Sequence, residues 1–237
     1  MKKTEGTKKS NMPKSKKTEL GKVESKIVKS KNSKTVPTKI DSKKTGSMLD
    51  TSITDSEMLA RLSHLLLEAH EYTAKHSSRV VDFAVALAEK AELEKSLVDK
   101  IRVAAEMHDI GKLGIGQDIL NKPSKLTHQE FEKVKKHPEI ALKLLKELSF
   151  IIDVVNMVYY HHERIDGKGY PEKLSGDQIP VGAKIVSIAD AFDAMTSKRT
   201  YADAMSYKDA IIELKRCAGT QFDETLVNLF IDVVKDK

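Results

Sequence analysis

From Ile53 to the carboxyl terminus apolar residues recur at three- and four-residue spacing, and no stretch alternates with the two-residue period of a strand. That periodicity gives each segment one apolar stripe, and stripes of this kind are buried by packing helix on helix. The series opens with Thr54 and Glu57 at capping-box spacing, followed by Met58, Leu59, Leu62, Leu65, Leu66 and Ala69. Further helices are predicted over 76–90, over 96–108 with Ser96 and Asp99 as the start signal, and after the capping pair Thr127 and Glu130. Pro138 suits the first turn of another, 150–162 reads as a buried helix, and 183–195, 207–217 and 222–234 complete the set. Between them, 163–182 carries Gly167, Gly169, Gly176, Gly182, Pro171 and Pro180 and reads as a long loop, a length that compact domains keep for functional segments. The fold class is therefore all-α, a compact multi-helix bundle over 51–237 with a single core.

Composition breaks sharply at Asp50. Residues 1–50 hold fifteen Lys, five acids, thirteen Ser or Thr and no aromatic, a net charge of +10, whereas the remaining 187 residues carry −4. So little apolar surface cannot offset the entropy of ordering, and 1–50 is predicted to be a disordered basic tail suited to anionic lipid or nucleic acid. The acidic body argues against a folded domain that grips nucleic acid with its own basic face. The single cysteine, Cys217, excludes an internal disulfide framework and a Cys-rich zinc module. No run approaches the length of a membrane span and no apolar segment follows Lys2 and Lys3, so a cytoplasmic location is expected.

His108-Asp109 stands where a helix runs into Gly111 and Gly114, and His161-His162 follows the apolar run Val154 to Tyr160. Asp190 directly follows the mostly apolar stretch Ala183 to Ala189. Neighbouring imidazoles and a carboxylate in apolar surroundings need a positive partner, and a metal ion satisfies all of them at once.

These residues resemble those of a known family. His108-Asp109-Ile110-Gly111-Lys112 is similar to the signature of the HD phosphohydrolases. The segment from His161 to Pro171, reading HHERIDGKGYP, resembles the extended signature of the HD-GYP subgroup, whose characterised activity is hydrolysis of cyclic di-GMP. The likeness runs from about Glu57 to the carboxyl terminus and includes His76, Arg79, His137-Pro138, Asp190, Asp193 and Phe222-Asp223. It implies an HD-type bundle in which His76, His108, Asp109 and Asp190 hold one metal, and Asp109 bridges to a second held by His137, His161 and His162. Imidazole and carboxylate ligands without thiolate suit iron or manganese, and also zinc. Two such ions lower the pKa of a bridging water, and the resulting hydroxide opens cyclic di-GMP to pGpG, with GMP as a further product. Lys112 is implied to stabilise charge beside the catalytic Asp109, Arg199 to contact phosphate, and Tyr170 to stack on or hydrogen-bond a base. The GYP loop is also implied as a surface for diguanylate cyclase domains, and Asp193 as a residue behind the ligands.

The chain departs from the family in two informative places. Tyr72 stands where many members have a glutamate that helps to hold a third metal, which favours two ions here. Arg199-Thr200-Tyr201-Ala202 replaces a segment with two basic residues, so a second phosphate anchor is absent. Two other functions stay open on the residues alone: hydrolysis of another cyclic dinucleotide or nucleotide, and a non-catalytic receptor or scaffold working through the loop.

Overall fold

A computed structural model describes residues 71–146, 152–198 and 203–235, together with helical positions Glu57, Ala60, Arg61, Leu62, His64 and Leu65. The Lys-rich segment 1–50, Thr54, the side chain of Tyr72, and Arg199 to Ala202 lie outside the described residues. The main helices are α1 (Glu71–Lys90), α2 (Lys95–Met107), α3 (Gln117–Leu120), α4 (His128–Val134), α5 (His137–Leu145), α6 (Ile152–Tyr160), α7 (Val181–Thr196), α8 (Tyr207–Cys217) and α9 (Glu224–Val234). Short 3-10 turns occupy Ile110–Gly114 and Gly176–Gln178, and among the described residues the only β pairing consists of two isolated bridges. The bundle is all-α, as the periodicity requires.

Several helix starts follow the expected side-chain chemistry. Thr127 caps α4 by accepting from Glu130 N, and Glu130 Oε2 accepts in return from Thr127 N at 2.7 Å, a complete capping box. Pro138 sits in the first turn of α5, Ser206 caps α8, and Asp223 caps α9 by accepting from Thr225 N and Leu226 N. The start of α2 differs from expectation. Its N-cap is Glu94, which makes no capping bond, and Ser96 lies inside the helix. The first turn is instead crossed by the Lys95–Asp99 pair, four residues apart and largely exposed, which contributes only a few tenths of a kcal/mol.

The core lies where α1, α2, α6, α7 and α9 meet. Val80, Ala84, Leu87 and Ala88 of α1 face Ile101 and Ala104 of α2, while Ile185, Ile188 and Phe192 come from α7. Phe83, Phe192 and Phe230 form an edge-to-face triad with centroids 5.1–5.8 Å apart. Truncating Phe192, which is fully buried, would cost about 3–5 kcal/mol. A smaller cluster of Tyr159, Tyr160, Leu174, Ile179 and Ala183 fastens the loop after α6 to the body. No helix among the described residues is long and apolar enough to cross a membrane.

Candidate metal centre

The expected ligands come from five separate elements and meet at one end of the core. His76 comes from α1, and His108 and Asp109 from the junction of α2 with the first 3-10 turn. His137 is the first residue of α5, His161 and His162 follow α6 directly, and Asp190 projects from α7. Close backbone packing brings the first turn against α5. A Cβ placed on Gly111 would lie 1.8 Å from the His137 carbonyl oxygen, so only glycine allows that approach.

One local device orients three of the imidazoles. The last carbonyls of a helical turn have no partner within the helix. His108 Nδ1 lies 2.7 Å from Ala105 O, His137 Nδ1 2.8 Å from Val134 O, and His161 Nδ1 2.6 Å from Val158 O. A carbonyl only accepts, so each Nδ1 carries the proton and each Nε2 presents a lone pair to the centre. His76 is held in the same sense by a carboxylate: its Nδ1 lies 2.7 Å from Asp193 Oδ2. Asp193 is itself buried and accepts from Arg79 Nη2 at 3.0 Å.

The Nε2 atoms converge on two carboxylates. Asp190 Oδ1 lies 3.2 Å from His76 Nε2 and 4.0 Å from His108 Nε2. Asp109 turns Oδ2 toward His108 Nε2 at 3.4 Å and His76 Nε2 at 3.8 Å, and Oδ1 toward His137 Nε2 at 3.7 Å. Two groups of donor atoms thereby form, His76–His108–Asp190 and His137–His161–His162, with donors in each within 4.8 Å of one another. The Asp109 carboxylate lies between them.

Two observations show that this set fits cations. His108 Nε2 is buried with no hydrogen-bond partner. His137 Nε2 and His161 Nε2 lie 3.4 Å apart, and with both protons committed to carbonyls at Nδ1 two lone pairs face each other. A cation between them turns that repulsion into ligation. The donors are imidazole nitrogens and carboxylate oxygens, suited to iron, manganese or zinc, while Cys217 is buried elsewhere on α8.

The electrostatics keep most of these donors ready. Burial lowers the pKa of His137 to about 4 and of His162 to about 3, and drives His161 well below its ordinary value, so all three are neutral at pH 7. Burial resists ionisation of Asp109 and Asp190, yet Lys112 with His108 for the first, and His76 with His108 for the second, hold both below the usual carboxylate range. His76 is the exception. Burial opposes its charge, but Asp190 and Asp193 accept from its ring and lift its pKa to about 9. Lys112 Nζ donates to Asp109 Oδ2 at 2.6 Å, beside the centre as expected.

The Gly-rich loop lies against the second group. Tyr170 stacks on His162, with centroids 4.8 Å apart and planes inclined by 33°. Gly169 passes the backbone of Glu163 and Arg164 so closely that a Cβ would stand 2.5 Å from it. Arg164 forks onto both Asp166 oxygens at 2.9 and 2.8 Å and reaches Gln221, and Glu163 accepts from Glu172 N at 2.7 Å. The loop is fastened on both sides rather than open. Of the residues anticipated to contact substrate, Lys112 and Tyr170 flank the centre, while Arg199 lies outside the described residues. The sequence reading missed the bond from each histidine Nδ1 to the carbonyl three residues back; an apolar helix running straight into a histidine is its only signal.

A family model described as HD domain matches residues 61–226. The chain is 35% identical over 187 residues to the 3′3′-cGAMP-specific phosphodiesterase 2 of Vibrio cholerae, covering 78% of this chain and 36% of that protein. It is 38% identical over 172 residues to the cyclic di-GMP phosphodiesterase PA4108 of Pseudomonas aeruginosa, covering 71% of this chain and 41% of that protein. The chain thus spans less than half the length of these two curated relatives. Among solved structures, Bd1817, an HDG"Y"P protein from Bdellovibrio bacteriovorus, shares the fold with a TM-score of 0.59 at 19% identity, over 76% of this chain and 62% of that one. With the HD and HHERIDGKGYP residues gathered around one metal-dependent type of centre, the chain belongs to the HD-domain family of phosphohydrolases, in its HD-GYP branch.

Proposed function

We propose that this chain is a phosphodiesterase that hydrolyses cyclic di-GMP to pGpG at a centre of two divalent ions. The observation that carries this reading is the position of Asp109, whose two oxygens face the two histidine groups separately. In this assignment His76, His108, Asp109 and Asp190 hold one ion, and Asp109, His137, His161 and His162 hold the other. Iron or manganese suits these donors best. Such ions lower the pKa of bound water toward neutrality and offset charge on phosphate oxygens.

The chain's own groups do the rest. The Nδ1 bonds of His108, His137 and His161 fix each ring so that its lone pair needs no reorganisation. Lys112, 28% exposed, sits at the mouth of the centre, where its ammonium offsets charge developing on a phosphate oxygen. Hydrolysis breaks the P–O3′ bond, leaving a 5′-phosphate and a 3′-hydroxyl. Tyr170 covers the His162 side and places an aromatic face beside the phosphate position.

A second substrate is favoured by one observation: relatives named for 3′3′-cGAMP and for cyclic di-GMP match the chain about equally, at 35% and 38% identity. Turnover of the purified chain with cyclic di-GMP, 3′3′-cGAMP and cyclic di-AMP, with bound metal analysed in the same sample, separates the readings. Preferential conversion of cyclic di-GMP supports the proposal; absence of turnover of all three with two ions bound overturns it.

A further inference from the structure

Helix α4 has an unusual position in the bundle. None of its residues is buried, and it is held by its capping box and by Lys122 donating to Glu130 at 2.7 and 2.8 Å. Its aromatic residue, Phe131, is 48% exposed and belongs to neither core cluster. Phe131 therefore does not anchor α4 to either core cluster. What it faces is the Gly-rich loop. Lys135, one turn later, holds its ammonium 5.9 Å from the Phe131 centroid and 5.4 Å from the Tyr170 centroid, so the cation lies near both rings. Its present partner is Glu132 on the same helix, at 2.9 and 3.1 Å.

Between these groups lies a pocket of about 310 Å³, lined among others by Phe131, Lys135, His162, Lys168, Tyr170 and Gln221. That volume falls at the lower end of the range for ligand sites, about 300–1,000 Å³. His162 is shared between the pocket and the second histidine group, so the pocket adjoins the centre on that side. A phosphate held at the centre would therefore carry its attached nucleoside into a space walled by two aromatic rings and a lysine.

We infer that this pocket receives a purine base of the dinucleotide, that Phe131 is its second stacking wall opposite Tyr170, and that Lys135 recognises the acceptor edge of guanine. The inference rests on the cyclic-dinucleotide reading above and adds the residues that choose the base. Aromatic faces stack on any base, so Phe131 sets affinity without selecting. Selection falls to Lys135. Guanine offers two acceptors along one edge, O6 and N7, whereas adenine offers N7 beside an amino donor that a lysine cannot match. On binding, the ammonium exchanges the exposed Glu132 carboxylate for the guanine edge, a change that costs little because surface ion pairs are weak.

The test uses the full metal-loaded chain and reads equilibrium binding of non-hydrolysable phosphorothioate analogues of cyclic di-GMP and cyclic di-AMP, alongside steady-state kinetics with the natural dinucleotides. Phe131→Ala should weaken binding of both ligands about tenfold and raise KM more than it lowers kcat, with metal content retained. Phe131→Tyr, which keeps the ring, should restore affinity. Lys135→Met should lower the preference for cyclic di-GMP over cyclic di-AMP about tenfold. Phe131 is exposed, Lys135 is half-buried, and neither belongs to a core cluster, so these variants keep the fold. If wild type binds but turns over neither ligand, the phosphodiesterase reading fails while the binding arm still judges the pocket. Binding of both ligands within twofold of wild type in Phe131→Ala and Lys135→Met, or no binding to wild type at all, overturns the inference.

Discussion

Asp193 Oδ2 accepts the Nδ1 proton of His76 at 2.7 Å across 117 residues of sequence, and the same carboxylate is gripped by Arg79. The bond ties α7 to α1 behind the centre and turns His76 Nε2 toward Asp190. Arg79 extends the tie to Ser197 at the end of α7, at 2.9 Å. A single buried carboxylate thus fixes the tautomer of one imidazole while a guanidinium fixes the carboxylate.

Asp193→Ala should therefore lower metal affinity about 10- to 100-fold without removing any proposed ligand, as loss of a partner behind a ligating histidine typically does. Asp193→Asn, which keeps an acceptor but no charge, should fall between. Competition with a chelator of known affinity reads the change, and equal metal retention in wild type and Asp193→Ala would refute the positioning role.

Asp109 has a different place, between both donor groups. Asp109→Ala should abolish turnover and reduce bound metal while helical circular dichroism stays close to wild type, because the residue contributes no core packing. His108→Ala should do the same. Full activity of Asp109→Ala in excess metal would sink the two-ion assignment.

Stoichiometry follows from the same geometry. Among the described residues the candidate donors form two groups, and by the family resemblance Tyr72 stands where many members have a glutamate. Freshly purified protein should contain two tightly held ions per chain, and pGpG should accumulate before any GMP. Three tightly held ions would show that another group takes the place of the missing glutamate.

The two ion positions should respond differently to pH. His76, with its pKa raised to about 9, is protonated at neutral pH and must release that proton to ligate, so affinity at His76–His108–Asp190 should rise with pH up to about 9. His137 and His162, at about 4 and about 3, are already neutral, and their group should bind equally well from about pH 6 upward. In metal-free protein the raised His76 value contributes stability that is complete below the unfolded value of 6.5 and is lost as pH rises through about 9. Melting of chelator-treated protein should accordingly decline over that window. Parallel pH dependence of both ions, with no proton released on binding, would contradict this division.

Much of the centre is legible in the sequence because its residues sit at the ends of apolar runs. His108 and His161 each follow a helix whose buried face is plain from spacing, and Asp190 interrupts another. What spacing cannot reveal is which ring nitrogen faces inward. That depends on the carbonyl three residues back being free, a property of helix ends in three dimensions. The pairing of Lys135 with Tyr170 is equally hidden, since the two belong to separate elements with α5 and α6 between them in the sequence. The start of α2 differs for a local reason: Ser96 and Asp99 have the spacing of a cap, but the helix begins at Lys95 and its N-cap, Glu94, makes no side-chain capping bond.

Glycine at 111 is the backbone counterpart of these side-chain arrangements. Its missing Cβ lets the turn after Asp109 lie against the first residues of α5, where an added carbon would meet His137 O at 1.8 Å and Ala141 N at 2.8 Å. Both neighbours are backbone, so relief requires moving α5, and with it His137. Gly111→Ala should destabilise the fold by about 1–3 kcal/mol, as overpacking does, and weaken the ion assigned to His137, His161 and His162 more than the other. Gly176→Ala is the control. A Cβ there meets nothing within 4 Å, but its φ of +52° strains any other residue, so stability should drop by about 1 kcal/mol with metal binding intact. Denaturant melts and metal titrations of the two variants separate the effects. Unaltered metal binding in Gly111→Ala would show that the approach of the turn to α5 does not set the position of His137.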